Sequence, residues 1–413
     1  MYVAIIGAGA AGCFAAINLK RLNPSVDVTV YESGNRPLAK VSVTGGGRCN
    51  LTNSFDGIKS LSAVYPRGER LMKRLLHEFS NKDTCEWFER EGVRLITQDD
   101  YCVFPQSQDA MEIVDTLINL MNKNKIKICT GHRVDNIEKN NTDEQNNDFR
   151  IKFSDTKIKD IKADAVVVAI GGSPHSKGLA FLDNFTLEIV EPRPSLFSFC
   201  LPQNSITEMT GTVVNEVEVS LSGTKHRASG PLLITHWGVS GPAILKLSSY
   251  AARSLFDNDY KAKLSVNWFG DKNENDVLEH FISTAKANPQ KKLSTTRPEH
   301  INSRLWLNLL LQSGVDPEQR WCELSKKSYN RMVNTLTNNI YNIEGKNKFK
   351  EEFVTCGGIA LNNVNSRTLE CKTCPGLYFA GEVLDVDAIT GGFNLQAAWT
   401  MGYVVAKSLS VSD

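Results

Sequence analysis

An apolar run, Tyr2-Val3-Ala4-Ile5-Ile6, gives way to Gly7-Ala8-Gly9-Ala10-Ala11-Gly12 and then to an apolar-periodic stretch holding Ala15, Ala16 and Leu19. The order is strand, tight turn, helix. A second β-like run, Asp27-Val28-Thr29-Val30-Tyr31, ends at Glu32, twenty residues past Gly12, where a dinucleotide-binding unit places an acid for a ribose. Each glycine then has a physical task. Gly7 makes the turn, Gly9 lets the backbone approach a pyrophosphate, and Gly12 lets helix and strand pack closely. The phosphates would sit on the N–H groups at the positive end of the helix, with Ala10 and Ala11 in its first turn. On this loop alone, NAD and FAD are both open.

The 413 residues, 41% hydrophobic and 23% charged, have an ordinary globular composition and predict two or three domains. A formal net charge of +1 supplies no global field for a polyanion, so neither a nucleic-acid nor a membrane partner is expected. No apolar run approaches the roughly 20 residues of a membrane helix. The apolar start lacks a basic leader, and a nucleotide-binding strand starting at Tyr2 leaves nothing to cleave. A cytoplasmic protein is therefore expected, and ten scattered cysteines fit reduced thiols there. Oligomeric state is not legible.

In the segment Lys40 to Asn53, Thr44-Gly45-Gly46-Gly47-Arg48-Cys49-Asn50 places three glycines in a row, which suit neither a helix nor a regular strand. Such a loop points backbone N–H groups at an anion or an electron-rich ring. The alternative is a flexible surface loop; the hydrogen-bonding Lys40, Arg48, Asn50 and Asn53 favour a ligand. Residues 68 to 91 read as helical, with Leu71, Leu75, Leu76 and Phe79 on one face and then Trp87 and Phe88. Ser107 is a candidate N-cap for a helix from Ala110 to Met121. Strand-like runs follow at Ile126 to Thr130 and Arg150 to Phe153, joined by the polar tract Lys139 to Asp148. Ala163 to Ile170 reads as a buried parallel strand ending in Gly171-Gly172 at the cofactor crevice.

From Pro192 the texture changes. Val213 to Leu221 and Ala262 to Trp268 alternate like strands, and Ser240-Gly241-Pro242 starts a helix. Residues 274 to 342 are helix-rich, with Leu305, Trp306, Leu309 and Leu310 as an apolar stripe. Phe353 to Ile359 restores the strand-and-glycine texture.

The closing stretch has a short strand, Leu377 to Ala380, a Gly381-Glu382 turn, Asp385, and Gly391-Gly392 opening a helix from Asn394 to Ser408. Two-domain flavoproteins hold the ribityl chain and flavin in this layout. An acid bonds the ribityl and pyrophosphate region, and a helix N-terminus faces the pyrimidine edge, where it favours negative charge by roughly 0.3 to 2 kcal/mol.

Taken with Val-Phe-Pro-Gln-Ser at 103 to 107, Pro-Ser-Leu-Phe at 194 to 197, Ser-Gly-Pro-Ala-Ile-Leu at 240 to 245 and Gly-Glu-Val-Leu-Asp-Val-Asp at 381 to 387, the chain resembles, end to end, a bacterial flavoprotein family. That family includes aminoacetone oxidase-like and bile-acid dehydro-reductase-like members. The resemblance implies FAD and an α/β fold, in which a Rossmann-like FAD-binding domain is split by an inserted β-barrel and a helical subdomain. The expected segments are 1–191, an inserted barrel at 192–272, helices at 273–340, a return at 341–352, and 353–413. The candidate cofactor set is Gly7, Gly9, Ala10, Ala11, Gly12, Glu32, Lys40, Thr44, Gly45, Gly46, Gly47, Arg48, Asn50, Val134, Gly171, Gly381, Glu382, Asp385, Gly391, Gly392, Asn394 and Gln396.

No catalytic acid or base stands out, and no metal site. Cys371-Lys372-Thr373-Cys374 has no second pair and reads as a turn. Cys49 lacks the paired thiol of a flavin–disulfide enzyme. His175 and His236 lie near glycine-rich turns and either could act as a general acid or base, structural hydrogen bonding being the simpler role. A single G-x-G-x-x-G leaves no separate nicotinamide domain, so NAD(P)H or oxygen would meet the flavin transiently. The expected function is hydride transfer between FAD and a small organic substrate. The alternatives are a sensory or interaction flavoprotein and, less favoured on charge, an RNA-modifying flavoprotein.

Overall fold

A computed structural model describes residues 1–140, 148–173, 176–346 and 354–411. His175, Phe353, residues 347–352 of the expected return and most of the tract after Lys139 lie outside the described residues. The chain forms two compact units, one of Met1–Arg193 with Val354–Asp413, the other Pro194–Phe353.

The first unit is built on a five-stranded parallel sheet. Its order is Leu377–Phe379, Ala165–Val168, β1 (Tyr2–Ile6), β2 (Asp27–Tyr31) and Lys127–Cys129. Val3 to Ile6 and Ala165 to Val168 are all buried, which is why both runs are continuously apolar instead of alternating. Because every strand runs the same way, the turns at Gly7, Glu32, Gly171 and Gly381 all leave one edge of the sheet. That edge is where an open parallel sheet binds its ligand.

Helix α1 (Ala10–Leu22) is buried without a break from Ala11 to Leu19 and packs against the C-terminal helix, Phe393–Ser410. The close crossing depends on Gly402, where a Cβ would stand 2.7 Å from the Ala11 carbonyl oxygen. Phe14 fills the seam, its ring centroid 4.6 Å from Trp87, 5.3 Å from Trp399 and 5.5 Å from Phe79.

Two local expectations need correction, and one strand is unforeseen. The stretch 68 to 91 is two helices, Glu69–Leu75 and Asn81–Arg90. Ser80 and Asp83 form a capping box at the break, Asp83 N donating to Ser80 Oγ and Ser80 N to the Asp83 carboxylate, so local side chains interrupt a periodicity that runs straight through. Ser107 does not cap the helix Ala110–Lys123. Asp109 does, accepting from Met111 N at 2.8 Å, because the left-handed Gln108 turns the chain after Ser107. Val134–Lys139 is a strand, paired with Phe149–Phe153, in a stretch where sequence patterning assigns no element apart from Lys139 at the start of the polar tract.

The second unit holds a closed six-stranded barrel of Phe199–Cys200, Gly238–Ser240, Arg227–Thr235, Val213–Leu221, Lys261–Asn267 and Asn339–Lys346. Pro242 occupies the first turn of the helix Pro242–Tyr250. Barrel residues such as Val219, Leu232 and Val266 share one core with Leu305, Trp306, Leu309 and Leu310 of the helix Ser303–Gln312.

Candidate functional site

The first cluster forms at the ends of β1 and β2. Gly7 has φ +106°, and a Cβ there would stand 2.4 Å from the Ala169 carbonyl oxygen. At Gly12 a Cβ would be 2.0 Å from the Gly7 carbonyl oxygen, whereas at Gly9 nothing lies within 4 Å. Two of the glycines are thus spent on packing, and the third leaves open space over the start of α1. No side chain caps that helix start, and its first turn holds no acid, which keeps it receptive to phosphate.

The Glu32 carboxylate accepts from Ala8 N at 2.9 Å and Gly34 N at 2.7 Å, tying the loop to the end of β2. Charge-assisted bonds of this kind contribute about 1.5–3 kcal/mol. Glu32→Ala is therefore expected to weaken FAD binding at least about tenfold, since about 1.4 kcal/mol is a factor of ten. Flavin-fluorescence titration of the apoprotein measures it.

Other predicted residues gather at the same edge. Leu38 N donates to Ala8 O, bringing the Lys40 segment alongside. Lys40 Nζ lies 3.9 Å from Glu382, and with the lysine exposed and the contact long the pair contributes little. Glu382 is fixed by Thr355 N at 2.7 Å, and a Cβ at Gly172 would strike its carboxylate, 2.4 Å away. Gly171 has φ +77°, and a Cβ at Gly381 would lie 3.1 Å from the Ala11 Cβ. Gly131 N and His132 N donate to Gly34 O and Glu32 O, which carries Val134, largely buried, past the end of β2.

A second cluster joins the glycine loop to the C-terminal helix. Gly45, Gly46 and Gly47 have φ of +58°, +69° and +84°. A Cβ at Gly45 would meet Asn50 N at 2.8 Å, but Gly46 and Gly47 face open space. Thr44 Oγ1 donates to Val41 O, and Arg48 donates to Gly45 O with its guanidinium 4.6 Å over the Phe104 ring.

Asn50, its amide oriented by its partners, donates to Thr52 O at 3.0 Å and accepts from Gly392 N at 3.2 Å. Asn53 Nδ2 donates to Gly391 O at 3.0 Å. A Cβ at Gly392 would lie 2.2 Å from Thr52 O, so glycine is required for the approach. The helix then starts uncapped and without an acid in its first turn.

Asn394 and Gln396 turn to the protein itself. Asn394 brackets Ala388 through its N and O, each at 2.9 Å, and the fully buried Gln396 accepts from Thr52 Oγ1 and donates to Thr400. Asp385 accepts from Gly357 N at 3.0 Å. Residues that sequence reading left unassigned complete this end: Thr52, Tyr65, whose hydroxyl donates to Phe393 O, and Arg67, which forms a buried ion pair with Asp387. Asp387 lies in a quoted motif, but nothing local announces Arg67.

Burial pushes the Cys49 thiol up to about 12, the Thr44 hydroxyl opposing weakly, so it stays protonated. Maleimide labelling of the native protein at pH 8 is expected to modify the exposed Cys322 and spare Cys49; early loss of Cys49 would contradict this. Cys371 and Cys374 are buried free thiols, and no metal-binding group occurs among the described residues. His236 lies in the second unit, exposed and edge-on to Trp237.

The two clusters fit FAD. An uncapped helix start beside Gly9 suits the pyrophosphate, Glu32 the ribose, and the open Gly46-Gly47 turn beside a second uncapped helix start suits the flavin ring.

The HI0933-like protein Rossmann domain model matches residues 1–408. The chain is 29% identical to the ribosomal RNA dihydrouridine synthase of Escherichia coli (strain K12), over 98% of this chain and 97% of that one. It is 26% identical to the 3-dehydro-bile acid delta(4,6)-reductase of Clostridium scindens, over 98% of each. Among solved structures, the 3-ketosteroid-delta4-(5alpha)-dehydrogenase of Rhodococcus jostii RHA1 shares the fold, with a TM-score of 0.51 at 15% identity, covering 99% of this chain and 96% of that one.

Proposed function

We propose, from the premise that this chain belongs to the HI0933-like Rossmann family and is an FAD-dependent oxidoreductase, that it reduces a carbon–carbon double bond conjugated to a carbonyl group. One observation carries the reading. Two relatives matched over nearly their whole lengths are named for reductions of that kind, one yielding dihydrouridine in ribosomal RNA and the other a reduced bile acid. Their substrates differ greatly, so the shared element is the bond. Bound FAD, reduced by NADH or NADPH, would supply hydride for the carbon β to the carbonyl, with the α carbon taking its proton from solvent.

The chain's own residues hold and bias that chemistry. The two helix starts, free of acidic side chains in their first turns, favour the pyrophosphate and the negative charge of a reduced flavin. The glycines that face open space let the backbone approach without a side chain between.

Uridine in ribosomal RNA is the first substrate to test. A net charge of +1 does not provide for it globally, so any phosphate contacts would have to be local. Photoreduced enzyme should be mixed without oxygen, in separate samples, with unmodified ribosomal RNA and with a 3-oxo-Δ4 steroid. Reoxidation by RNA, with uridine gaining the mass of two hydrogens, supports the RNA substrate. Reoxidation by the steroid alone assigns a small-molecule enone. Reoxidation by neither, with prompt reaction with oxygen, removes the reductase reading. NADH and NADPH are compared as reductants in the same cell.

A further inference from the structure

The segment Val64–Gly68 grips the turn that leads into the C-terminal helix. Ile389 N donates to Val64 O at 2.9 Å, Arg67 and Asp387 pair as an isolated antiparallel bridge, and a Cβ at Gly68 would lie 2.5 Å from the Val386 side chain. Tyr65 reaches the first helical residue through Phe393 O at 2.9 Å.

The Arg67–Asp387 ion pair in this grip is bidentate. Arg67 Nε donates to Asp387 Oδ1 at 2.5 Å and its Nη2 to Oδ2, with the arginine side chain 10% exposed and the aspartate 0%. A buried pair is poor evidence of a stabilising purpose, because well-packed apolar residues often serve stability as well, and fixing register is its best-attested use. Register matters here. Asn394, in the first turn of the helix, bonds both the N–H and the C=O of Ala388, the residue after Asp387, so moving Asp387 moves the helix start and Gly391-Gly392 with it. Among the described residues, Asp385 and the Cys356 thiol also act electrostatically on Arg67.

We propose that Arg67 and Asp387 are positioning residues of the flavin site, holding the Gly391-Gly392 turn in register and cancelling each other's charge beside the helix start that receives the reduced flavin. This rests on FAD occupying the site and is independent of the substrate. The guanidinium cannot lose its proton. Asp387→Asn, which keeps the shape, therefore makes the site one charge more positive with Asp385 still facing Arg67, and the two-electron reduction equilibrium is expected to rise about tenfold, about 30 mV.

Arg67→Met with Asp387→Leu removes both charges and the bidentate geometry. It is expected to keep the thermal midpoint near that of the parent while FAD affinity falls about tenfold and ADP affinity stays unchanged. Should that pair not fold, Arg67→Lys, which keeps charge but loses the fork, is expected to lower FAD affinity without moving the potential. The measurements are dye-equilibrated potentials of the bound flavin, and FAD and ADP titrations of the apoproteins. An unmoved or lowered potential in Asp387→Asn overturns the charge role. Parent-like FAD affinity in the apolar pair, or in Arg67→Lys where that pair does not fold, overturns the positioning role, as does a parallel loss of ADP affinity.

Discussion

Gly12→Ala is expected to yield protein without FAD. The added methyl would stand 2.0 Å from the Gly7 carbonyl oxygen and 3.3 Å from Ile5 Cγ2. The first of these is backbone, which cannot rotate aside, so α1 must lift from β1. Overpacking typically costs about 1–3 kcal/mol, and a backbone clash belongs at the upper end. Lifting the helix also withdraws the N–H groups meant for the pyrophosphate, so affinity should fall by about a hundredfold or more, about 2.7 kcal/mol.

Gly9→Ala is the informative control. Its φ of −86° admits alanine, and the methyl would enter open space. That variant should fold with parent-like stability yet bind FAD poorly, because its methyl would occupy room left for the ligand. Parent-like binding in both variants would place the pyrophosphate elsewhere.

Phe14→Ala is expected to produce the largest loss of stability. The ring is fully buried between Phe79, Trp87 and Trp399 where α1 meets the C-terminal helix. Removing a buried phenylalanine costs about 3–5 kcal/mol. This seam joins the two helices that carry the uncapped starts, so the loss should appear in flavin retention as well as in unfolding. Urea titration followed by the release of flavin fluorescence should show a clearly lowered midpoint, with Phe14→Leu between the variant and the parent. An unchanged midpoint would mean that the seam does not hold the site together.

These expectations separate what the chain declares locally from what only folding reveals. The Gly7 to Gly12 loop, the triple glycine and Gly391-Gly392 were legible because a left-handed turn or a close backbone approach leaves few residues to choose from. The strand Val213–Leu221 was legible by alternation, and the helix at Pro242 by its Ser-Gly-Pro start.

The break at Ser80 was hidden because Leu71, Leu75 and Phe79 keep helical spacing through it, although the Ser80–Asp83 box was present in the sequence. At the site, sequence gathers hydrogen-bonding residues at the start of the last helix but does not say which way they face. Gln396 turns toward Thr52, and Asp387 toward Arg67, over separations of 344 and 320 residues. Such pairings follow from the crossing of the two helices and the grip of Val64–Gly68, and have no local signature.

The most direct measurement is the flavin content of the purified chain, read from its visible spectrum and from FAD released on denaturation, beside Gly12→Ala prepared identically. One FAD per parent chain, and little or none in the variant, is the expected result. A colourless parent that takes up no FAD on reconstitution, or a variant that holds as much FAD as the parent, would contradict a site built on the glycine edge of this sheet.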